Sequence, residues 1–316
     1  MSQSQVPERH RIAVIGLGEA GATLARGLAA SGLCEVAGYD RLLDDATAGP
    51  ALRAKASSFG ISVCTSAAQA CQGARIVLSA VPASAALAVA AEAGDFLEAG
   101  QLFLDINSVS PKTKRASATA VERSRAAYVE GAVMGPVAPS GLKVPILLAG
   151  ACAAEVASML NAAGMNLEVA GQRIGDASAI KMCRSIMIKG IEALTIECFM
   201  TARRCGIEDT VIASLNTSFP GVDWEKRGSY MIGRAVQHAR RRAAEMREAI
   251  ATVIEAGLAP TMSAASAQVL EWVADAGLNP VQFKARGEEW RDIIDALSER
   301  QRIQQDATAP ATASAP

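Results

Sequence analysis

A chain of 316 residues is long for one core and fits two domains, and a composition half hydrophobic but only 4% aromatic suits an α/β enzyme scaffold. Lys+Arg 31 against Asp+Glu 32 leaves a net charge of −1, and the single basic run, at 240–242, is too short for a nucleic-acid footprint. Apolar segments of the N-terminal half break within about ten residues, against the ~20 that a bilayer span needs, and residues 1–11 lack a signal-peptide core, so we expect a cytoplasmic protein without membrane contact.

In chain order, short β-rich runs fall near 11–16, 35–40, 61–65, 75–81, 101–106, 127–133 and 144–149, with helical stretches between most of them. Continuous apolar strands separated by helices predict a parallel sheet covered on both faces. From about Asp176 helical period takes over, broken at Gly206, 219–223, 257–260 and 277–280. The expected architecture is a Rossmann-type doubly wound domain over 1–172, an all-α domain over 173–303 entered by a long inter-domain helix, and a disordered tail over 304–316. Seven cysteines, without a CxxC pair and in mostly apolar surroundings, predict buried reduced thiols, with neither a disulfide framework nor a metal site. Apolar, Ala-rich helices in the second domain point to burial against a partner subunit, so a homodimer or higher homo-oligomer is expected.

The first run leads into Gly16, Gly18 and Gly21 in GxGxxG spacing, with Leu17, Glu19 and Ala20 completing the turn. Such a turn lets backbone N–H groups reach a pyrophosphate at a helix N-terminus. Asp40 ends the next strand about 20 residues on, where a carboxylate accepts ribose hydroxyls. Its charge favours NAD over NADP, although Arg41 beside it offers a partner for a 2′-phosphate or a stacking surface for adenine.

Two further strand ends are distinctive. Val81-Pro82 offers an apolar wall beside a nicotinamide ring, or simply an ordinary strand exit. Asn107 follows a buried-looking run and precedes Ser110-Pro111, which reads as a helix N-cap with Pro at the first helical position; the Asn107 amide is left for a substrate or the carboxamide. The stretch 130–141, rich in Gly and Pro, forms either an anion-binding nest or a hairpin-like connection.

Taken in order, GLGEAG, Asp40, AVP, D-x-[SN]-[ST]-x-x-P at 105–111, EGAVMGP and G-x(5)-K-x(3)-[NS] at 175–185 resemble the β-hydroxyacid dehydrogenases, the family of 3-hydroxyisobutyrate, tartronate-semialdehyde and 6-phosphogluconate dehydrogenases. The resemblance spans about 11–205, and the C-terminal part is similar to the helical domain of a phosphogluconate dehydrogenase-like subgroup. It implies an NAD(P)-dependent hydride transfer with a hydroxyacid-type substrate, with Lys181 as general acid/base and Asn107 on the substrate. Ser185 stands where the family carries Asn, and Met134-Gly135 where it carries Gly-Gly, preceded by Glu130 in place of Asp. His238 would border the substrate.

On spacing alone Ser178, Lys181, Ser185, Lys189 and Glu192 form a polar helical stripe of the kind that usually faces water. A helix joining two domains turns one face inward, where desolvation by Ile180 and Met182 would lower a lysine's pKa; Cys183 is expected in the core. Two rivals stay open: an imine reductase-like enzyme, and a non-catalytic dinucleotide-binding protein.

Overall fold

The structure is a computed structural model that describes residues 9–279 and 290–308. It divides into two compact units, Met1–Cys183 and Arg184–Pro316.

The first unit is an eight-stranded sheet: β1 His10–Ile15, β2 Cys34–Tyr39, β3 Ser62–Val63, β4 Ile76–Ser79, β5 Leu102–Asp105, β6 Ala127–Val133, β7 Pro145–Ala149 and β8 Asn166–Gly171. Helices α1 Glu19–Ala30, α2 Gly49–Ser58, α3 Ala67–Cys71, α4 Ala86–Phe96, α5 Pro111–Glu122, α6 Val137–Ser140 and α7 Ala153–Ala162 connect them, and α8 Asp176–Cys205 leaves the unit. The spatial order is β3-β2-β1-β4-β5-β6-β7-β8. Successive side chains of a strand point to opposite faces, and the core divides accordingly. Ile12, Val14, Ile76, Leu78, Leu102 and Leu104 pack on one side; Ala13, Ile15, Val77 and Phe103 pack on the other. With both faces covered, alternation of polar residues has no place in β4 or β5, and every residue of both strands is buried.

The fold class is the expected one, with two differences in the sheet. β7 runs antiparallel to β6, so the segment after β6 is a hairpin-like connection and the sheet is mixed rather than all-parallel. β8, absent from the sequence reading, pairs parallel with β7 at the sheet edge. Asn166, Glu168 and Val169 on it are exposed, and an edge strand half in water lacks the continuous apolar run that marked the others.

The second unit is helical throughout its described residues: the rest of α8, α9 Glu208–Ser218, α10 Trp224–Glu255, α11 Thr261–Asp275 and α12 Trp290–Thr308. The breaks predicted at Gly206, 219–223 and 257–260 fall between these helices; the one at 277–280 reaches beyond the described residues at 280. α12 runs past residue 304, where the tail was expected to begin, because extending an existing helix adds one hydrogen bond per residue without a new nucleus. Residues 309–316 lie outside the described residues.

Two surface expectations are corrected. Cys34, Cys64 and Cys71 are buried, but Cys183, Cys198 and Cys205 are exposed, so Cys183 is not a core residue. On α8 it is the polar stripe that is covered: Ser178, Ser185, Lys189 and Glu192 are all buried, while Ile180, Met187 and Leu194 are about half exposed or more. Each buried charge has a partner, as burial requires. Arg242 grips Glu192 through Nε at 2.7 Å and through Nη2, and Lys189 pairs with Glu245 at 2.9 Å.

Candidate dinucleotide and proton-transfer site

The strand order reverses direction between β1 and β4, the point at which open α/β sheets bind ligands beyond the carboxyl ends of their strands. At the end of β1, Gly16 has φ +95°, a left-handed conformation, and a Cβ there would stand 2.4 Å from the Ala80 carbonyl oxygen. At Gly21 a Cβ would stand 1.9 Å from the Gly16 oxygen, so only glycine lets α1 approach the strand this closely. Gly18 differs: a Cβ there would meet nothing within 4 Å, and Gly18, at the N-cap of α1, makes no side-chain cap. Open space before uncapped helix N–H groups is what a pyrophosphate requires, so these residues fit a dinucleotide. Gly21→Ala should therefore abolish dinucleotide binding and lower the unfolding midpoint together, since its Cβ meets backbone that cannot yield; equilibrium dialysis and thermal unfolding measure the two effects.

Asp40 is drawn into the loop. Its Oδ2 accepts from the Leu17 N–H at 2.7 Å and its Oδ1 from the Leu42 N–H at 2.9 Å, which pins the end of β2 to the glycine turn. Each carboxylate oxygen keeps a lone pair for a ribose hydroxyl. Arg41 is exposed at the start of a short 3-10 turn, Glu19 is exposed, Ala20 is half-buried and Leu17 is buried.

The ends of β4 and β5 are tied together by Asn107. Its Oδ1 accepts from the Val81 N–H at 2.7 Å, and its Nδ2 donates to Ser79 Oγ at 3.0 Å. Asn107 is 4% exposed, and its amide braces the two strand ends while keeping one Nδ2–H and one Oδ1 lone pair beyond these two bonds. Its neighbour Ser108 instead meets α8: Lys181 Nζ donates to Ser108 Oγ, and both residues are half-buried. Val81 is half-buried and Pro82 exposed at the mouth of the same strand ends. Ser110 caps α5 as predicted, accepting from the Thr113 N–H, with Pro111 at the first helical position.

Below this surface lies a buried network that sequence reading missed. Lys114, on α5, is fully buried and donates to the Asp105 carbonyl at 2.7 Å and to Asp105 Oδ1 at 2.9 Å. Tyr128 donates its hydroxyl to Asp105 Oδ2 at 2.7 Å, and the Asn107 N–H donates to Asp105 Oδ1 at 2.8 Å. Burial, and then the Asp105 carboxylate, hold the Tyr128 phenol well above its ordinary pKa of 10. The unfolded chain ionises this phenol first, so its contribution to stability is complete below pH 10 and is lost as pH rises from there toward the folded value. Tyr128→Phe should flatten the fall of the unfolding midpoint above pH 10 relative to the natural chain.

Glu130 also has a different duty from the one its place in the motif suggested. Its carboxylate is fully buried and accepts from the Gly175 and Ser178 N–H groups, closing the N-terminus of α8. A carboxylate there satisfies orphan donors and complements the helix dipole, fixing the first turn of α8, one turn before Lys181. Met134 packs on Ala132, Ala149 and Ala177, while its N–H donates to the Pro145 carbonyl at 2.8 Å; Gly135 follows, half-buried.

The structure thus brings together Gly16, Ala80, Val81, Asn107, Ser108 and Lys181 in one run of contacts within the first unit. Ser185 and His238 belong to the second unit. There Ser185 Oγ accepts from Lys189 Nζ at 3.1 Å, and His238 stands at a kink in α10, with φ −128° and ψ 20°. Among the described residues no cluster of His, Cys, Asp and Glu is arranged to hold a metal, and no helix is long and apolar enough to cross a membrane.

Fold and loop define a dinucleotide-binding protein of the doubly wound class followed by a helical region. Residues 11–171 match the NAD binding domain of 6-phosphogluconate dehydrogenase, and the chain belongs to that family; residues 202–273 match a domain of unknown function, DUF1932. A conserved hypothetical protein from Sinorhizobium meliloti 1021 is 40% identical, with 92% of this chain and 96% of that one covered and a TM-score of 0.74. The conserved protein MTH1747, described as structurally similar to 3-hydroxyacid dehydrogenases, is 33% identical over 84% of this chain and 97% of its own, with a TM-score of 0.68. The 3-hydroxyisobutyrate dehydrogenase of Mycobacterium tuberculosis, solved with L-serine, shares the fold at 17% identity, with 92% and 99% covered and a TM-score of 0.69.

Proposed function

We propose that this chain is an NAD(P)-dependent oxidoreductase acting between the alcohol and carbonyl forms of a hydroxyacid-type substrate, with Lys181 as its general acid/base. The observation that carries this reading is the hydrogen bond from Lys181 Nζ to Ser108 Oγ, at the same strand ends that hold Val81 and the glycine turn. When bound, the dinucleotide supplies the hydride acceptor or donor. Gly16, Gly18, Gly21 and Asp40 would hold it, with Val81-Pro82 as apolar wall. Lys181, in its neutral form, takes the hydroxyl proton in oxidation; as an ammonium it returns that proton to the carbonyl oxygen in reduction. Since a lysine ammonium only donates, Ser108 is the acceptor of their bond and its own O–H is left to donate to a substrate oxygen. Asn107 acts one step back by fixing the strand ends. A screen of NAD⁺ and NADP⁺ reduction over 3-hydroxyacids and aldonic acids, at neutral and alkaline pH, tests the reading, with cyclic imines and NAD(P)H as the contrasting arm. Turnover of imines alone, or no hydride transfer to any member of the panel, overturns it.

The cofactor part of the proposal is NAD in preference to NADP, because the Asp40 carboxylate stands where a 2′-phosphate would add like charge. Asp40→Asn keeps the shape and removes the charge. It should weaken NAD and strengthen NADP binding, changing their ratio by roughly tenfold, the equivalent of one charge-assisted contact. Fluorescence titration of the two reduced cofactors reads the ratio.

A further inference from the structure

The second unit contains an open groove of about 950 Å³ between the C-terminal half of α8, α9 and the start of α10. Leu194, Phe199, Leu215, Phe219, Trp224 and Tyr230 supply most of its apolar wall. Leu194 is 54% exposed, Phe219 51% and Tyr230 56%, a concentration of apolar surface that folded chains seldom leave in water without a use. The wall is set by ring packing: Phe219 meets Trp224 edge-on at 5.6 Å, and Phe199 meets Trp290 at 4.7 Å. The volume falls within the range of about 300–1,000 Å³ found for small-molecule sites.

Most polar groups on the lining are already committed. The Thr195 hydroxyl donates to the Ile191 carbonyl at 2.7 Å, the Tyr230 hydroxyl accepts from Arg234 at 3.0 Å, and Lys226 pairs with Asp223 at 3.3 Å. Two groups are exceptions among the described residues: the Arg227 guanidinium has neither an ion pair nor a side-chain hydrogen bond, and the buried indole N–H of Trp224 has no partner. An apolar trough lined by one uncommitted guanidinium is complementary to a molecule with an apolar body and one anionic group. The planar fork of arginine suits a carboxylate, which it binds through two parallel hydrogen bonds. A second copy of the chain is the poorer fit. A two-fold interface would bury two Arg227 side chains, one from each copy, and the described groove lining offers neither of them a carboxylate that is not already paired.

We propose that this groove is a binding site for an apolar carboxylate, its chain lying along Leu194, Phe199, Phe219 and Trp224 and its carboxylate on Arg227. Binding there requires no turnover, so it stands or falls separately from hydride transfer.

Dodecanoate, kept below its micellar concentration, is the probe, added to the full chain and followed by calorimetry. Cys198 lines the groove and is exposed, as is Cys205 outside the lining, so peptide mapping after iodoacetamide treatment supplies a second readout with an internal control. Expected are saturable one-to-one binding and protection of Cys198 but not of Cys205. Arg227→Gln should weaken dodecanoate roughly tenfold, and Arg227→Lys should recover part of it, whereas uncharged dodecanol should bind the natural chain and the Gln variant alike. Arg227 is exposed, so its replacement leaves the folded unit in place, which circular dichroism checks. Absence of saturable binding, or binding indifferent to Arg227→Gln, overturns the proposal. So does protection of Cys198 without probe that grows with protein concentration, which would make a second copy the occupant.

Discussion

Replacing Lys181 with Met should lower kcat for the substrate found in the dehydrogenase screen by about 10²–10⁴, the range over which a positioned proton carrier acts. Dinucleotide affinity should stay within about threefold, because Lys181 meets Ser108 and not the glycine turn. A loss of that size in kcat with KM nearly unchanged identifies a group acting in the transition state. An equal loss in cofactor binding would instead mean that the substitution had disturbed the strand ends. Ser108→Ala separates the possibilities further: it removes the acceptor of the lysine's hydrogen bond but no charge, and should cost about tenfold in kcat. Survival of turnover within about threefold removes Lys181 from the mechanism.

The second large effect concerns stability. Lys114→Met should destabilise the chain by about 3–5 kcal/mol, the scale for removing one member of a buried ion pair, because the Asp105 carboxylate is left fully buried with its cation gone. Methionine fills much the same volume, so the effect is electrostatic and not that of a cavity. The lost hydrogen bonds also include those to the Asp105 and Gly131 carbonyls. Denaturant titration measures the change, and a double-mutant cycle with Asp105→Asn tests its origin: the double variant should be markedly more stable than the sum of the singles predicts. Additive singles would show that the two groups are not coupled. Asp105 Oδ1 also accepts from the Asn107 N–H, so the same substitution should loosen the strand end that presents Ser108, lowering activity even where the protein remains folded.

The particular elements show why some of this was legible before the structure. Strands β1, β4 and β5 each carry an unbroken apolar run, at 12–15, 76–78 and 102–104, because helices cover both faces, and that is a local signal. The glycine turn was legible because its requirements are backbone requirements: a positive φ at Gly16 and close approach at Gly21 can be met by few residues other than glycine. Ser110-Pro111 is local in the same way. Lys114 had a weaker local signal, since it shares a helical face with Ser117, Ala118 and Val121, all buried. Nothing short of the fold could show that Asp105 and Tyr128, from two neighbouring strands, converge on it.

Hydrophobic period and glycine placement act over a few residues, so a doubly wound sheet carrying a dinucleotide turn, with helices beyond it, is legible along the chain. Which side chains meet was settled by the packing of distant segments. That packing turned Asn107 inward as a brace and gave Ser108 to Lys181; it assigned Glu130 to the N-terminus of α8 and buried Ser178, Ser185, Lys189 and Glu192 of that helix's polar stripe while exposing Ile180, Met187 and Leu194. Those outcomes depend on partners 26 to 73 residues away along the chain, and no spacing within a single helix or strand encodes them.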